Sequence, residues 1–128
     1  MRVFAYGTLR KGFGNHYIVE PFVESIQPGT IRGTMYHAGY FPYVIQRGEG
    51  RVIGEWLSIR PDKEEEALSR MDIMEGYYGE GEWNHYERIW VRDEVNAALE
   101  GWVYVAGRHI EPERRYPVVE SGDWSRRA

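Results

Sequence analysis

The chain has 128 residues, which is the size of an ordinary single domain with one hydrophobic core. Its formal net charge of −4 at pH 7 argues against the basic surface that general nucleic-acid binding requires. There is no cysteine, so disulfides, thiolate catalysis and cysteine-based zinc sites are excluded. We therefore predict one domain over residues 1–128 with no nucleic-acid partner.

The first residues contain no long apolar stretch, so we expect no signal peptide. No window approaches the roughly 20 apolar residues of a membrane-spanning helix. Together with the missing cysteine, this predicts a soluble cytoplasmic protein without a membrane partner. Aromatic residues make up 15% of the chain, and many of these rings must line a core or a pocket.

The first predicted element is a strand over residues 1–6, which must turn at Gly7. A strand that stops at Gly7-Thr8 exposes consecutive backbone N–H groups at the edge of a sheet. Such a loop can bind an anion or a developing oxyanion without a charged side chain. The alternative for Thr8 is that its hydroxyl only braces the turn.

The next elements are predominantly strands. We expect a short helix over residues 16–20, with Asn15 as its N-cap and Pro21 at its end. An extended run over 22–26 is predicted to break at Gln27-Pro28-Gly29. Further strands are predicted at 30–36, 44–46, 51–59, 85–92 and 101–106. Strands outnumber helices without alternating with long ones, which favours an α+β domain whose barrel-like sheet is mainly antiparallel and flanked by a few helices.

One amphipathic helix is predicted from Pro61 to Met74 or Glu75, and Gly76 ends it. Glu75 points to the same side as the apolar stripe of Ala67, Leu68, Met71 and Met74. Burial and the negative end of the helix dipole would both raise the pKa of this carboxyl toward neutrality. The alternative is that the helix frays at Met74 and the carboxylate simply reaches water.

An ordered set of short motifs runs along nearly the whole chain. These motifs are Tyr6-Gly7-Thr8-Leu9-Arg10-Lys11-Gly12, Gly14-Asn15-His16, Gly39-Tyr40-Phe41-Pro42, Val52-Ile53-Gly54-Glu55, Met71-Asp72-Ile73-Met74-Glu75-Gly76, Tyr86-Glu87-Arg88 and Ser121-Gly122-Asp123-Trp124. In this order they resemble the γ-glutamylcyclotransferase-like family, also called AIG2-like.

The resemblance implies a small mixed fold with a barrel-like sheet. Active members of the family convert a γ-glutamyl compound into 5-oxoproline and release an amine, which is cyclising acyl-transfer chemistry. The resemblance places the catalytic glutamate at Glu75 and the substrate-binding loop at Tyr6, Gly7, Thr8 and Leu9. It also places Tyr86 near the glutamyl group, although core packing is an equal alternative for that ring. The expected partner is a small γ-glutamyl substrate, and the chemistry requires no metal and no cofactor.

The leaving group stays open at this stage. An amino acid, a small amine, a lysine-derived isopeptide and an antibiotic-type intermediate are all compatible with the motifs. A non-catalytic member that binds a small ligand and a protein-interaction module are the alternative functions. We also consider Trp83, in the loop after Glu75, as a lid over the site.

Overall fold

The computed structural model describes residues 1–127 and contains seven strands in this range. The strands are β1 (Arg2–Ala5), β2 (Val23–Arg32), β3 (Thr34–His37), β4 (Pro42–Ile45), β5 (Arg51–Ile59), β6 (Tyr86–Arg92) and β7 (Glu100–Ala106). The α-helix is α1 (Glu64–Glu75), and short 3-10 helices lie at His16–Ile18, Glu20–Phe22, Pro61–Lys63, Pro112–Arg114 and Trp124–Arg126.

Five strands form one mixed sheet in the order β2-β5-β1-β7-β6, while β3 and β4 form a separate hairpin. The β1–β7 pair is parallel, and the other pairs of the large sheet are antiparallel. The α+β class with a mainly antiparallel sheet is therefore confirmed.

The large sheet is not closed into a barrel, because β2 and β6 remain its edges over the described residues. The turn after β6 nevertheless reaches the β2 edge at one point. Thr30 donates its N–H to the Asp93 carboxylate at 2.8 Å and accepts the Glu94 N–H at 2.8 Å. The expected barrel-like shape thus rests on a local contact between the edges and not on a continuous ladder.

The predicted break at Pro28-Gly29 is wrong, since β2 runs without interruption from Val23 to Arg32. Its position at the sheet edge explains why proline is tolerated. Thr30 directs its N–H away from β5 toward Asp93, and residues two apart in a strand have the same orientation. Pro28 therefore has its nitrogen on the outer side, where no ladder hydrogen bond is lost.

The predicted short helix over residues 16–20 is also corrected. Two 3-10 helices occupy this segment, and Pro21 lies at the start of the second one, where its missing N–H costs little. Asn15 does not cap the first helix with its side chain. Its amide instead donates to Thr8 Oγ1 at 2.9 Å, so it ties the segment to the loop after β1.

The large sheet carries a hydrophobic cluster on each face, as the alternation along β5 requires. Val52 and Trp56 join one cluster, and Leu57 joins the other. Helix α1 packs on the second face through the fully buried Ala67 and Met71. This packing fixes the end of α1 beside the end of β1. Within residues 1–127, no helix is long and apolar enough to cross a membrane.

Candidate active site

A cavity of about 360 Å³ opens where the ends of β1 and α1 meet the starts of β4 and β6. The predicted site residues Tyr6, Gly7, Thr8, Leu9, Glu75 and Tyr86 all line it. Residues up to 80 positions apart in the chain therefore share one pocket, as expected for a common site. The catalytic and binding roles assigned to them stay predictions.

Glu75 is the last residue of α1, so the alternative in which the helix frays at Met74 is wrong. Gly76 ends the helix in the left-handed conformation, with φ 65°, and its N–H bonds to the carbonyls of Asp72 and Ile73. This cap holds the final turn in place, and it leaves the Glu75 side chain on the cavity wall.

The Glu75 carboxyl is only partly exposed and lies among aromatic rings. No donor within residues 1–127 forms a hydrogen bond with it, and burial raises its pKa to about 8. Burial first, with the nearby charge of Glu75 as a further cause, also raises the pKa of the Tyr6 and Tyr86 hydroxyls. These phenols therefore stay protonated at any physiological pH.

The three tyrosine hydroxyls near Glu75 are all engaged elsewhere. Tyr6 donates to the Tyr104 carbonyl oxygen, and Tyr86 donates to the Pro42 carbonyl oxygen at 2.8 Å. Tyr104 donates to Asp72 Oδ1 at 2.6 Å. The rings thus shape the cavity and keep Glu75 in apolar surroundings, while the carboxyl remains available to a ligand.

Asp72 connects the last turn of α1 to the sheet. Besides accepting from Tyr104, it pairs with Arg88 Nη1 on β6 at 2.7 Å. The Arg88 guanidinium lies against the rings of Tyr77 and Trp102, at 5.0 and 4.7 Å from their centroids. These contacts hold the carboxyl end of α1, and with it Glu75, against the strands.

The loop after β1 approaches the opposite wall very closely. A Cβ atom at Gly7 would lie 2.8 Å from Pro42 Cγ, so a larger residue would push the walls apart. Asn15 closes the loop through its N–H to the Thr8 carbonyl at 3.0 Å and through its side chain to the Thr8 hydroxyl. The Thr8 hydroxyl therefore braces the loop.

The N–H groups of Gly7, Thr8 and Leu9 donate to no acceptor in the described part of the chain. They border a cavity that also contains the Glu75 carboxyl. Consecutive unengaged backbone donors can hold a carboxylate or a polarised carbonyl oxygen.

Sequence reasoning missed several cavity residues, of which His85, Asn15 and Tyr104 are the polar ones. His85 gave no signal because it belongs to no metal-ligand spacing. Tyr104 had only its inward register on a strand to mark it. Trp83 is not among the cavity residues, and its ring stacks on His109 at a centroid distance of 3.7 Å. This placement does not support the prediction that Trp83 covers the site as a lid.

No group of three or more His, Asp and Glu side chains is placed to hold a metal ion in residues 1–127. That the reaction proceeds without metal or cofactor stays a prediction.

The model of the family described as gamma-glutamyl cyclotransferase, AIG2-like, matches residues 3–126, so the chain belongs to this family. The resemblance drawn from the sequence motifs is confirmed, and the chain is by family a γ-glutamylcyclotransferase-like enzyme.

Two relatives and one solved structure illustrate the similarity. The gamma-L-glutamyl-butirosin B gamma-glutamyl cyclotransferase of Niallia circulans is 31% identical over 95% of this chain and 74% of its own length. A gamma-glutamylcyclotransferase family protein of Citrobacter rodentium is 27% identical over 97% of this chain and 95% of its own. The crystal structure of an uncharacterized Pyrococcus horikoshii protein has a TM-score of 0.69 at 22% identity, covering 98% of this chain and 90% of that one, which shows the fold.

Proposed function

We propose that this chain converts a γ-glutamyl amide into 5-oxoproline and a free amine, with Glu75 as the general acid and base. The observation that carries the proposal is the Glu75 carboxyl, with its raised pKa and no hydrogen-bond partner within residues 1–127, in the same cavity as three unengaged backbone N–H groups. A carboxyl in such surroundings accepts and returns a proton readily.

The reaction is an attack of the substrate on itself. The α-nitrogen forms a bond to the γ-carbonyl carbon, and the bond from that carbon to the leaving nitrogen breaks. The α-ammonium loses two protons as it becomes the lactam N–H, and the leaving nitrogen gains two as it departs as an ammonium ion. Glu75 carries protons from one nitrogen to the other and ends in its starting state.

The pKa of Glu75 suits this proton transfer. Because its α-carboxylate is ionised, the α-amino group of a γ-glutamyl compound has a pKa about one unit above the value of about 8 for a chain terminus. Burial raises the pKa of Glu75 to about 8, so the two values lie close together. A proton can therefore pass between the two groups in either direction at little cost. A fully solvated carboxylate, with a pKa of about 4.3, would be too weak a base for the same step.

The loop after β1 supplies the second part of the mechanism. The N–H groups of Gly7, Thr8 and Leu9 would bind the substrate carboxylate or the oxygen of the polarised γ-carbonyl. The close contact between Gly7 and Pro42 fixes the loop against β4, and the cavity of about 360 Å³ beside it would hold the glutamyl chain in the folded shape that ring closure needs. Such orientation converts a flexible chain into a near-attack geometry.

The test is release of 5-oxoproline from a panel of γ-glutamyl amines, dipeptides and isopeptides. We expect turnover of at least one member, and we expect Glu75→Gln to lower kcat by about 10² to 10⁴, the usual contribution of general acid–base catalysis. Glu65→Gln is the matched control, because Glu65 lies exposed in the first turn of α1 and should leave turnover unchanged.

Full turnover by a folded Glu75→Gln variant would contradict this mechanism. Binding of 5-oxoproline in calorimetry without turnover of any panel member would instead identify a ligand-binding member of the family.

A further inference from the structure

His85 is attached directly to the end of the helix that carries Glu75. Its N–H donates to the Gly76 carbonyl oxygen at 3.0 Å, and its own carbonyl accepts the Gly107 N–H at 2.9 Å. These two hydrogen bonds fix its backbone between the cap of α1 and the loop after β7. The side chain lines the same cavity as Glu75.

The imidazole ring of His85 is held by aromatic neighbours. Its Nε2 atom forms a hydrogen bond with the Tyr43 hydroxyl, and its ring makes edge contacts with Tyr86 and Phe41 at centroid distances of 4.7 and 5.8 Å. Tyr43 is 4% exposed. These three neighbours hold the ring on the cavity wall, while the residue as a whole is exposed.

The hydrogen bond to Tyr43 determines which nitrogen of His85 carries the proton. Burial raises the pKa of the Tyr43 hydroxyl, so its proton stays on the oxygen and needs an acceptor. Within the described chain, His85 Nε2 is the acceptor that it reaches. Burial, followed by the nearby His109, lowers the pKa of His85, which favours the neutral ring. With Tyr43 as the donor to Nε2, the proton of the neutral ring is assigned to Nδ1.

The cavity has an inner and an outer end. Tyr6 and Tyr104 are buried and Glu75 is half-buried, so these three form the inner end, where the proposed reaction places the γ-carbonyl. The outer end is formed by His85 and by Tyr40, which is 95% exposed. A substrate whose glutamyl group lies beside Glu75 must therefore extend its amine portion past His85.

We propose that His85 selects the leaving group, with its Nδ1–H donating a hydrogen bond to an oxygen acceptor on the amine portion of the substrate. The substrate class is then a γ-glutamyl amide whose amine carries a hydroxyl, carbonyl or carboxylate oxygen near the scissile bond. Plain alkylamides are disfavoured, because they cannot accept this hydrogen bond. This assignment rests on the proposed cyclisation.

The test compares amides of similar size that differ in the acceptor, the ethanolamide being isosteric with the propylamide. γ-Glutamyl-propylamine is the apolar reference, and γ-glutamyl-ethanolamine and γ-glutamylglycine present a hydroxyl and a carboxylate. We expect kcat/KM for the better of these two to exceed that of the propylamide by about tenfold, which corresponds to one net hydrogen bond. In His85→Phe and in Tyr43→Phe, this ratio of kcat/KM values should fall below about three.

Tyr17→Phe is the matched control for Tyr43→Phe, since Tyr17 is 69% exposed and lies outside the cavity lining, and it should keep the wild-type ratio. The ¹⁵N spectrum of the His85 imidazole should show a neutral ring protonated at Nδ1. A ring protonated at Nε2, or a preference that survives in His85→Phe, would overturn the assignment.

Binding to the Glu75→Gln variant separates this proposal from the proposed reaction. In that background the acceptor-bearing amides should bind about tenfold more tightly than the propylamide, and adding His85→Phe should remove the difference. Equal affinities, or no binding of any amide, would overturn the role of His85 whatever the turnover assay shows. Failed turnover with the affinity difference intact would overturn the cyclisation alone.

Discussion

Asp93 and Glu75 are two poorly exposed carboxyl groups in opposite electrostatic situations. Asp93 is 7% exposed, and although burial alone would raise its pKa, the hydrogen bonds that it accepts lower it. Glu75 accepts none within residues 1–127, and burial raises its pKa to about 8. The donors to Asp93 are Thr30 N–H at 2.8 Å, Trp56 Nε1–H at 2.8 Å, Asn96 N–H at 2.9 Å and Val95 N–H at 3.0 Å.

The difference shows what separates a structural acid from a reactive one. Four donors that converge on Asp93 fix its charge and join the turn after β6 to β2 and β5. The absence of such donors around Glu75 leaves the proton on this carboxyl easy to add and remove near neutral pH. Burial is common to both groups, so hydrogen bonding decides the outcome.

The largest expected effect on stability is that of Asp93→Asn. The amide would turn an NH₂ group toward N–H donors that now meet an oxygen, and we expect a loss of about 2 to 4 kcal/mol in the free energy of unfolding. Urea denaturation at pH 7 measures it. Turnover per folded molecule should not change, because Asp93 is not part of the cavity lining.

Glu94→Gln serves as the control for the loss of charge in that turn. Its carboxylate pairs with Arg32 and Arg51 at 3.6 and 3.8 Å, and both arginines are largely exposed. We expect Glu94→Gln to lower the free energy of unfolding by less than about 0.5 kcal/mol. A comparable loss in both variants would mean that charge, and not the convergent donors, makes Asp93 important.

A smaller effect is expected in the pH dependence of stability at Glu75. The pKa of Glu75 in the folded state, about 8, lies above the ordinary value of 4.5 for a glutamate side chain. The folded state therefore keeps a proton that the unfolded chain releases, and this contribution to stability is complete below about pH 4.5 and is lost as pH rises through 8. The Glu75→Gln variant has no carboxyl at this position, so its stability lacks this pH dependence.

We expect the Glu75→Gln variant to gain roughly 1 to 3 kcal/mol on the wild type between pH 5 and 9, a range that allows for partial exposure of the carboxyl. Thermal unfolding of both proteins across this range measures the difference. A constant difference in unfolding temperature would show that Glu75 has an ordinary pKa.

The smallest expected effect is that of Tyr86→Phe. The Tyr86 hydroxyl donates to the Pro42 carbonyl and not to Glu75, so its removal should cost about 1 kcal/mol of stability. The ring that buries Glu75 remains, and we expect kcat/KM to fall by less than about tenfold. A loss as large as that of Glu75→Gln would make the hydroxyl a direct participant in proton transfer.

Local patterns predicted much of this structure. The helix that ends at Gly76, the strand over 51–59 and the Gly7 turn follow from periodicity, capping and backbone freedom, which involve neighbouring residues. Glu75 could be placed at the site because its azimuth on the helix follows from the same periodicity.

The contacts that were missed join distant parts of the chain. Thr30 and Asp93 are 63 residues apart. No local sequence pattern predicts that the Thr30 N–H will donate a hydrogen bond to the Asp93 carboxylate across the edges of the sheet. Asparagine is a favourable N-cap residue, but the Asn15 side chain donates its hydrogen bond to the Thr8 hydroxyl instead. His85 became a candidate site residue only when the fold placed it beside Gly76.

The outer edge of β2 also bears on how this protein avoids aggregation. A ten-residue edge strand is a long template for pairing with the strand of another molecule. Here Pro28 offers no donor on that side, and the outward N–H and carbonyl of Thr30 are already taken by Asp93 and Glu94. An incoming strand therefore finds the stretch from Pro28 to Thr30 unable to pair, which disfavours edge-to-edge association along β2.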